Sequence, residues 1–206
     1  MKVLAGIITG TLAISFAVAQ SGGNAGTSSG TPALRTVPLN GGLEAELLSM
    51  GRTKDHHGLT VQFKIRNLGK YTADLVLVQN PVVATDNTGG LFNELSDRSV
   101  SGIALCRNNM NFPQSQCISA ENKQYHIALQ GGFTRLEPNP DPRGGITVNL
   151  RLIGESNGPL ISFAANLFVR FITDPTKTTA LSDEEQYKQF HMMSLSFPLL
   201  QVTDEK

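Results

Sequence analysis

Five stretches of this chain alternate apolar and polar residues one for one. Such a chain can bury its apolar half only as β-strand, where side chains point to opposite faces with a period of two. Leu59, Val61, Phe63 and Ile65 point one way while Thr60, Gln62, Lys64 and Arg66 point the other. Tyr125, Ile127 and Leu129 repeat the pattern, as do Ile146, Val148, Leu150 and Leu152. Ile161, Phe163, Ala165, Leu167, Val169 and Phe171 form the most apolar stretch, and Met193, Leu195, Phe197 and Leu199 close the chain.

The segments between them read as turns. Asn67-Leu68-Gly69-Lys70 returns the chain into Tyr71–Gln79, which is apolar on both faces near Leu75–Val78 and is expected to stop or bend at Asn80-Pro81. Val82–Thr85 and Leu91-Phe92 bracket Asp86-Asn87-Thr88-Gly89-Gly90, a hairpin loop of residues that tolerate positive φ. Periodicity is lost over 93–122, and Glu137 to Gly145 is a strong breaker. Ser182–Phe190 is the one expected helix: Ser182 and Glu185 make a capping box, and Asp183 and Glu184 suit the positive N-terminal end. About seven to nine short strands without intervening helices predict an all-β fold, an antiparallel sandwich of two packed sheets with one short helix near the C-terminus. A closed barrel is the second choice. Low charge supports this class: 17% of residues are charged, against 20 Gly and 10 Pro, which suits strands and turns better than long surface helices.

The N-terminus predicts export. Lys2 precedes an uncharged apolar run, Val3–Val18, and Ala17-Val18-Ala19 fits a small-x-small cleavage site. The run is about 15 residues, short of the roughly 20 that span a bilayer, and Gly/Ser residues follow it instead of a positive cluster. The expected division is therefore a signal peptide over 1–19, a flexible Gly/Ser-rich leader over 20–40 and a single β domain over 41–206. The mature protein is expected in a periplasm or outside the cell, with no membrane span left after cleavage. Formal net charge is zero and no Lys/Arg run occurs, which disfavours nucleic acid as a partner.

At this level the chain resembles the immunoglobulin-like domains of exported bacterial proteins of unknown function. The likeness rests on Val61-Gln62-Phe63-Lys64-Ile65-Arg66-Asn67-Leu68-Gly69 and on Leu136-Glu137-Pro138 followed by the strand Gly145–Leu152. It implies a β-sandwich and a binding or assembly role, and it carries no catalytic residue. There is no Cys…Trp…Cys arrangement, so an antibody-type domain is not implied.

The two cysteines, Cys106 and Cys117, have ten residues between them. In an oxidising compartment a lone pair is expected to form a disulfide, and closing so short a loop stabilises by about 2–3 kcal/mol in the chain-entropy model. The alternative is two buried thiols. The stapled stretch holds five amide side chains with Arg107, Met110 and Phe112, a mix suited to recognition. Arg107, Asn108, Asn109, Met110, Asn111 and Phe112 are thus the candidate binding loop, against the alternative of a loop tied down on the scaffold. Asp55-His56-His57 is the only clustered metal-capable set, and adjacent His on a strand diverge unless a turn intervenes, so no metal site or cofactor is expected. No GxSxG, HExxH or phosphate-cradling glycine motif occurs, and no catalytic residue is expected. The expected role is a non-enzymatic module binding another protein or a cell-surface macromolecule. The alternatives are a self-assembling structural subunit joined by strand addition, and a metalloprotein or hydrolase whose site only the fold assembles.

Overall fold

A computed structural model describes residues 36–106, 132–182, 185–186 and 188–204, with the backbone alone at 80 and 96–98. The expected strand over Lys123–Gln130 lies outside the described residues. Eleven strands are described, all in one mixed sheet: β1 Thr36–Pro38, β2 Leu43–Arg52, β3 Gly58–Asn67, β4 Thr72–Asp86, β5 Leu91–Ser101, β6 Ala104–Cys106, β7 Thr134–Leu136, β8 Ile146–Glu155, β9 Leu160–Ile172, β10 His191–Gln201 and β11 Thr203–Asp204. The hydrogen-bonded order is β1-β2-β3-β8-β5-β4-β9-β10, with β6 and β7 on β4 and β11 on β2. The all-β class stands. The described strands pair continuously, and two of the pairs, β4–β6 and β2–β11, are parallel.

The alternation dictates which side is buried. In β3, Leu59, Val61, Phe63 and Ile65 are buried, and so are Val148, Leu150 and Leu152 of β8. On the opposite face Lys64 and Arg66 are half-buried, whereas Arg151 is exposed. Arg66 lies against Glu44 of β2, a cross-strand partner of opposite charge. The sheet curls round this one core. Phe63 of β3 meets Phe163 of β9 and Phe197 of β10, with ring centroids 6.0 and 6.3 Å apart. At the ends of the strand order, β11, which follows directly from β10, pairs with β2 (Thr203 opposite Gly51).

Several local expectations are corrected. Of the two outcomes expected at Asn80-Pro81, the bend is the one found: the β4–β9 register shifts between Val78 and Val82, and the strand runs on to Asp86. Residues 36–38, placed in the leader, form the edge strand β1. The aperiodic stretch from 93 contains the rest of β5, whose register with β8 shifts twice, and a bulged strand leaves no clean period to read. Gly102 (φ 84°) then reverses the chain into β6, and an added Cβ there would collide with the Thr147 carbonyl. In β10, Pro198 sits in a register shift between Phe197 and Leu200, so Leu200 packs on the core and Leu199 is left 47% exposed.

The helix falls elsewhere. α1 spans Pro175–Ala180, with Asp174 as N-cap accepting from the Thr176 and Lys177 N–H groups and Pro175 in the first turn. The Ser182–Glu185 capping box does form: the Ser182 N–H and Oγ donate to Glu185 Oε2 at 3.0 and 2.7 Å. Of Ser182–Phe190, however, only 185–186 are helical among the described residues. Among the described residues no helix is long and apolar enough to cross a membrane.

Two loop systems lock the corners. Asn67 Nδ2 donates to the Leu136 and Tyr71 carbonyls (2.9 and 2.8 Å), joining the end of β3 to β7 and to the start of β4. At the expected hairpin, Asp86 Oδ1 accepts from Thr88 N–H, Thr88 Oγ1 and Gly90 N–H, while Oδ2 accepts from Ser156 Oγ and Gly158 N–H. Burial pushes this carboxyl up, but the hydrogen bonds, from Ser156 first, outweigh it and hold the group below the usual carboxylate range.

Candidate functional site

Strands β6 and β7 share one flank of β4. Val76, Leu77 and Val78 pair with Ala104, Leu105 and Cys106, and Ala73, Asp74 and Leu75 pair with Leu136, Arg135 and Thr134. Ala104 and Thr134 therefore sit on consecutive residues of β4, and the Ala104 N–H donates to Thr134 Oγ1 at 2.7 Å. The described chain breaks off after Cys106 and resumes at Gly132, so the two ends of the undescribed stretch adjoin on β4. Cys106, the last described residue before it, is 4% exposed. Arg107, Asn108, Asn109, Met110, Asn111, Phe112 and Cys117 lie outside the described residues, and the Cys106–Cys117 pairing with them.

Beside this root lies a charged cluster that sequence reading missed. Arg135, Asp74 and Arg170 are directly opposed across β7, β4 and β9. Both faces of β4 are buried here, the inner by Ala73, Leu75 and Leu77 and the outer including Asp74, Val76 and Val78. Asp74 is 0% and Arg170 1% exposed. Arg170 Nε and Nη2 donate to Asp74 Oδ2 at 3.2 and 2.6 Å, and Nη1 donates to Gln186 Oε1 at 3.0 Å. The guanidinium carbon lies 5.3 Å from the Phe133 ring centre and 5.0 Å from that of Phe190. Charge pairing, a third hydrogen bond and two ring contacts offset the cost of burying this arginine.

Arg135 grips the same carboxylate from the other side, Nε to Oδ1 at 2.9 Å and Nη2 to Oδ2 at 3.3 Å. Its side chain stays 49% exposed, and its guanidinium carbon is 5.2 Å from the Phe133 ring centre. Hydrogen bonding to Asp74, and then the charges of Asp74 and Glu137, raise its pKa. The sequence did hold a signal, since Asp74 and Arg170 each interrupt an apolar strand. The partners are 61 and 96 residues away, so spacing could not match them.

The remaining candidates are placed as follows. Asp55-His56-His57 forms the β2–β3 turn, with His56 at φ 61°. Asp55 Oδ1 accepts from Thr53 Oγ1 (2.5 Å) and the His57 N–H (3.1 Å), which hold its pKa down, the Thr53 bond foremost. His57 Nδ1 reaches Glu155 Oε1 at 3.2 Å on the surface. Among the described residues no three His, Cys, Asp or Glu side chains converge as a metal site. His126 lies outside the described residues. His191 helps line an open cleft of about 630 Å³ between α1 and the start of β10, together with Phe171, Asp174, Lys177 and Lys188. Asp174 turns into its helix cap and reaches Lys177 Nζ at 3.5 Å, so the cleft wall is partly self-neutralised. Comparison with known protein families, with curated proteins and with solved structures finds no match.

Proposed function

We propose that this chain is an exported, non-enzymatic binding module that recognises a protein or cell-surface macromolecule through the stretch between β6 and β7, stapled by a Cys106–Cys117 disulfide. The observation that carries this reading is the pair of adjoining roots on β4, bound to each other by the Ala104–Thr134 hydrogen bond. A long connection mounted on a rigid strand pair is where binding residues concentrate on β scaffolds. A staple would pre-order it and reduce the entropy lost on binding. The likeness to exported immunoglobulin-like domains supports the same compartment and role. In that reading the curled sheet forms two facing layers, and the Phe63, Phe163 and Phe197 contacts support it. Joining a neighbour by strand addition draws less support, because the final strands, β10 and β11, are already paired within the chain's own sheet, with β9 and β2.

The test is proximity labelling and cross-linking of the exported protein on intact cells, repeated with Cys106→Ser/Cys117→Ser and Phe112→Ala. The expected result is one enriched partner, lost in both variants while their melting temperatures show folded protein. A partner retained by both variants would remove the loop from the binding surface.

A further inference from the structure

We infer that Arg135 is a pre-set fork for an acidic side chain of the binding partner. The inference rests on reading this end of the sheet as the working surface, and it uses only side chains fixed in the fold. The donor count is its basis. A guanidinium carries five N–H groups. Arg170 spends Nε, Nη2 and Nη1 on Asp74 and Gln186, and it is buried. Arg135 spends Nε and one Nη2 hydrogen on Asp74. No acceptor among the described residues engages its Nη1, and half of the side chain faces solvent. Three donors are therefore presented outward from a planar group whose inner edge is clamped.

Clamping is what separates this arginine from an ordinary surface one. A free Arg loses much rotamer freedom when it binds, whereas here Asp74 holds the plane and Phe133 lies against it. One buried carboxylate serves two guanidiniums, so the remaining Arg135 donors have no acceptor among the described residues, and Glu137, bonded to the Thr72 hydroxyl, acts on Arg135 through its charge alone. The outer Nη1/Nη2 edge matches the two oxygens of a carboxylate. Partly desolvated arginines of this kind are frequent anchors in protein interfaces.

Two measurements decide it. In the first, sodium acetate is titrated into the ¹⁵N-labelled mature protein, with inorganic phosphate and N-acetyltryptophanamide as separate arms. Acetate should shift the Arg135 side-chain N–H signals saturably and beyond those of the other exposed arginines. No Arg135-specific shift with acetate, or one with phosphate or the aromatic amide alone, overturns the inference. In the second, peptides are selected from a displayed random library, and acidic positions are changed to amides against wild-type protein and Arg135→Lys. Each single change should weaken binding about tenfold or more, and the two together little further. Independent, additive losses, or peptides indifferent to Arg135→Lys, overturn it. Peptides that depend on the two cysteines but not on Arg135 would leave the loop reading standing and remove this one. Dependence on Arg135 alone would do the reverse. Arg135→Lys keeps a cation beside Asp74, so the Asp74–Arg170 pair stays compensated while the fork is lost.

Discussion

The Asp74 carboxylate, with no exposed surface, accepts Nη2 of Arg170 at 2.6 Å from the directly opposed position on the neighbouring strand. Removing Asp74 strands the buried Arg170 charge, whereas removing Arg170 leaves Asp74 paired with Arg135. Asp74→Ala should therefore destabilise the protein by about 3–5 kcal/mol, the range for breaking a buried pair from one side. Replacing both Asp74 and Arg170 by apolar residues should cost less than that single change. Urea unfolding of the three proteins checks this, and a single-variant loss below about 1 kcal/mol would show that water reaches the pair.

Phe163 is fully buried and packs against both Phe63 and Phe197. Phe163→Ala should cost about 3–5 kcal/mol by chemical denaturation, because the curled sheet cannot collapse into the space left. Leu199→Ala, on the alternation of Phe197 but turned outward by the Pro198 shift, should stay within about 0.5 kcal/mol. Equal losses at the two sites would mean that the register shift in β10 is misplaced.

Asp86 should make stability acid-sensitive. Its folded pKa is depressed below the unfolded value of about 3.9, so its contribution is fully present above that value. The contribution fades as pH falls through the unfolded pKa toward the folded one. Asp86→Asn should be less stable than wild type at pH 7, with the gap narrowing below about pH 4. Unfolding free energies measured at pH 7, 5 and 3 test the sign, and a gap that widens on acidification contradicts it.

Processing and oxidation can be read from one sample of exported protein. Intact mass should show residues 1–19 absent and Gln20 leading. Thiol titration after unfolding without reductant should find no reactive sulfhydryl. Retention of Met1 would remove the export reading, and two free thiols would remove the staple.

The strands were legible because alternation is a local code. Any segment carrying Val61, Phe63 and Ile65 between Gln62, Lys64 and Arg66 must turn one set inward, whatever it pairs with. The capping box at Ser182–Glu185 and the Asp86 hairpin were legible for the same reason, since their hydrogen bonds close within four residues. β5 and β6 were not, because a bulged strand and a three-residue strand are decided by the edge they pair with. Partner choice also decided that Asn80-Pro81 would bend β4 and not end it: the β9 ladder resumes on the far side of the shift. The Arg135–Asp74–Arg170 cluster belongs to the same class. Each charge stands alone in its strand, and only the neighbouring positions of β7, β4 and β9 bring them together. Away from the register shifts, the sequence by itself determined which residues of a strand face inward. Tertiary pairing decided which strands are neighbours, and with that where a buried charge finds its counter-charge, because a charge taken out of water in the core persists only where the fold supplies its partner.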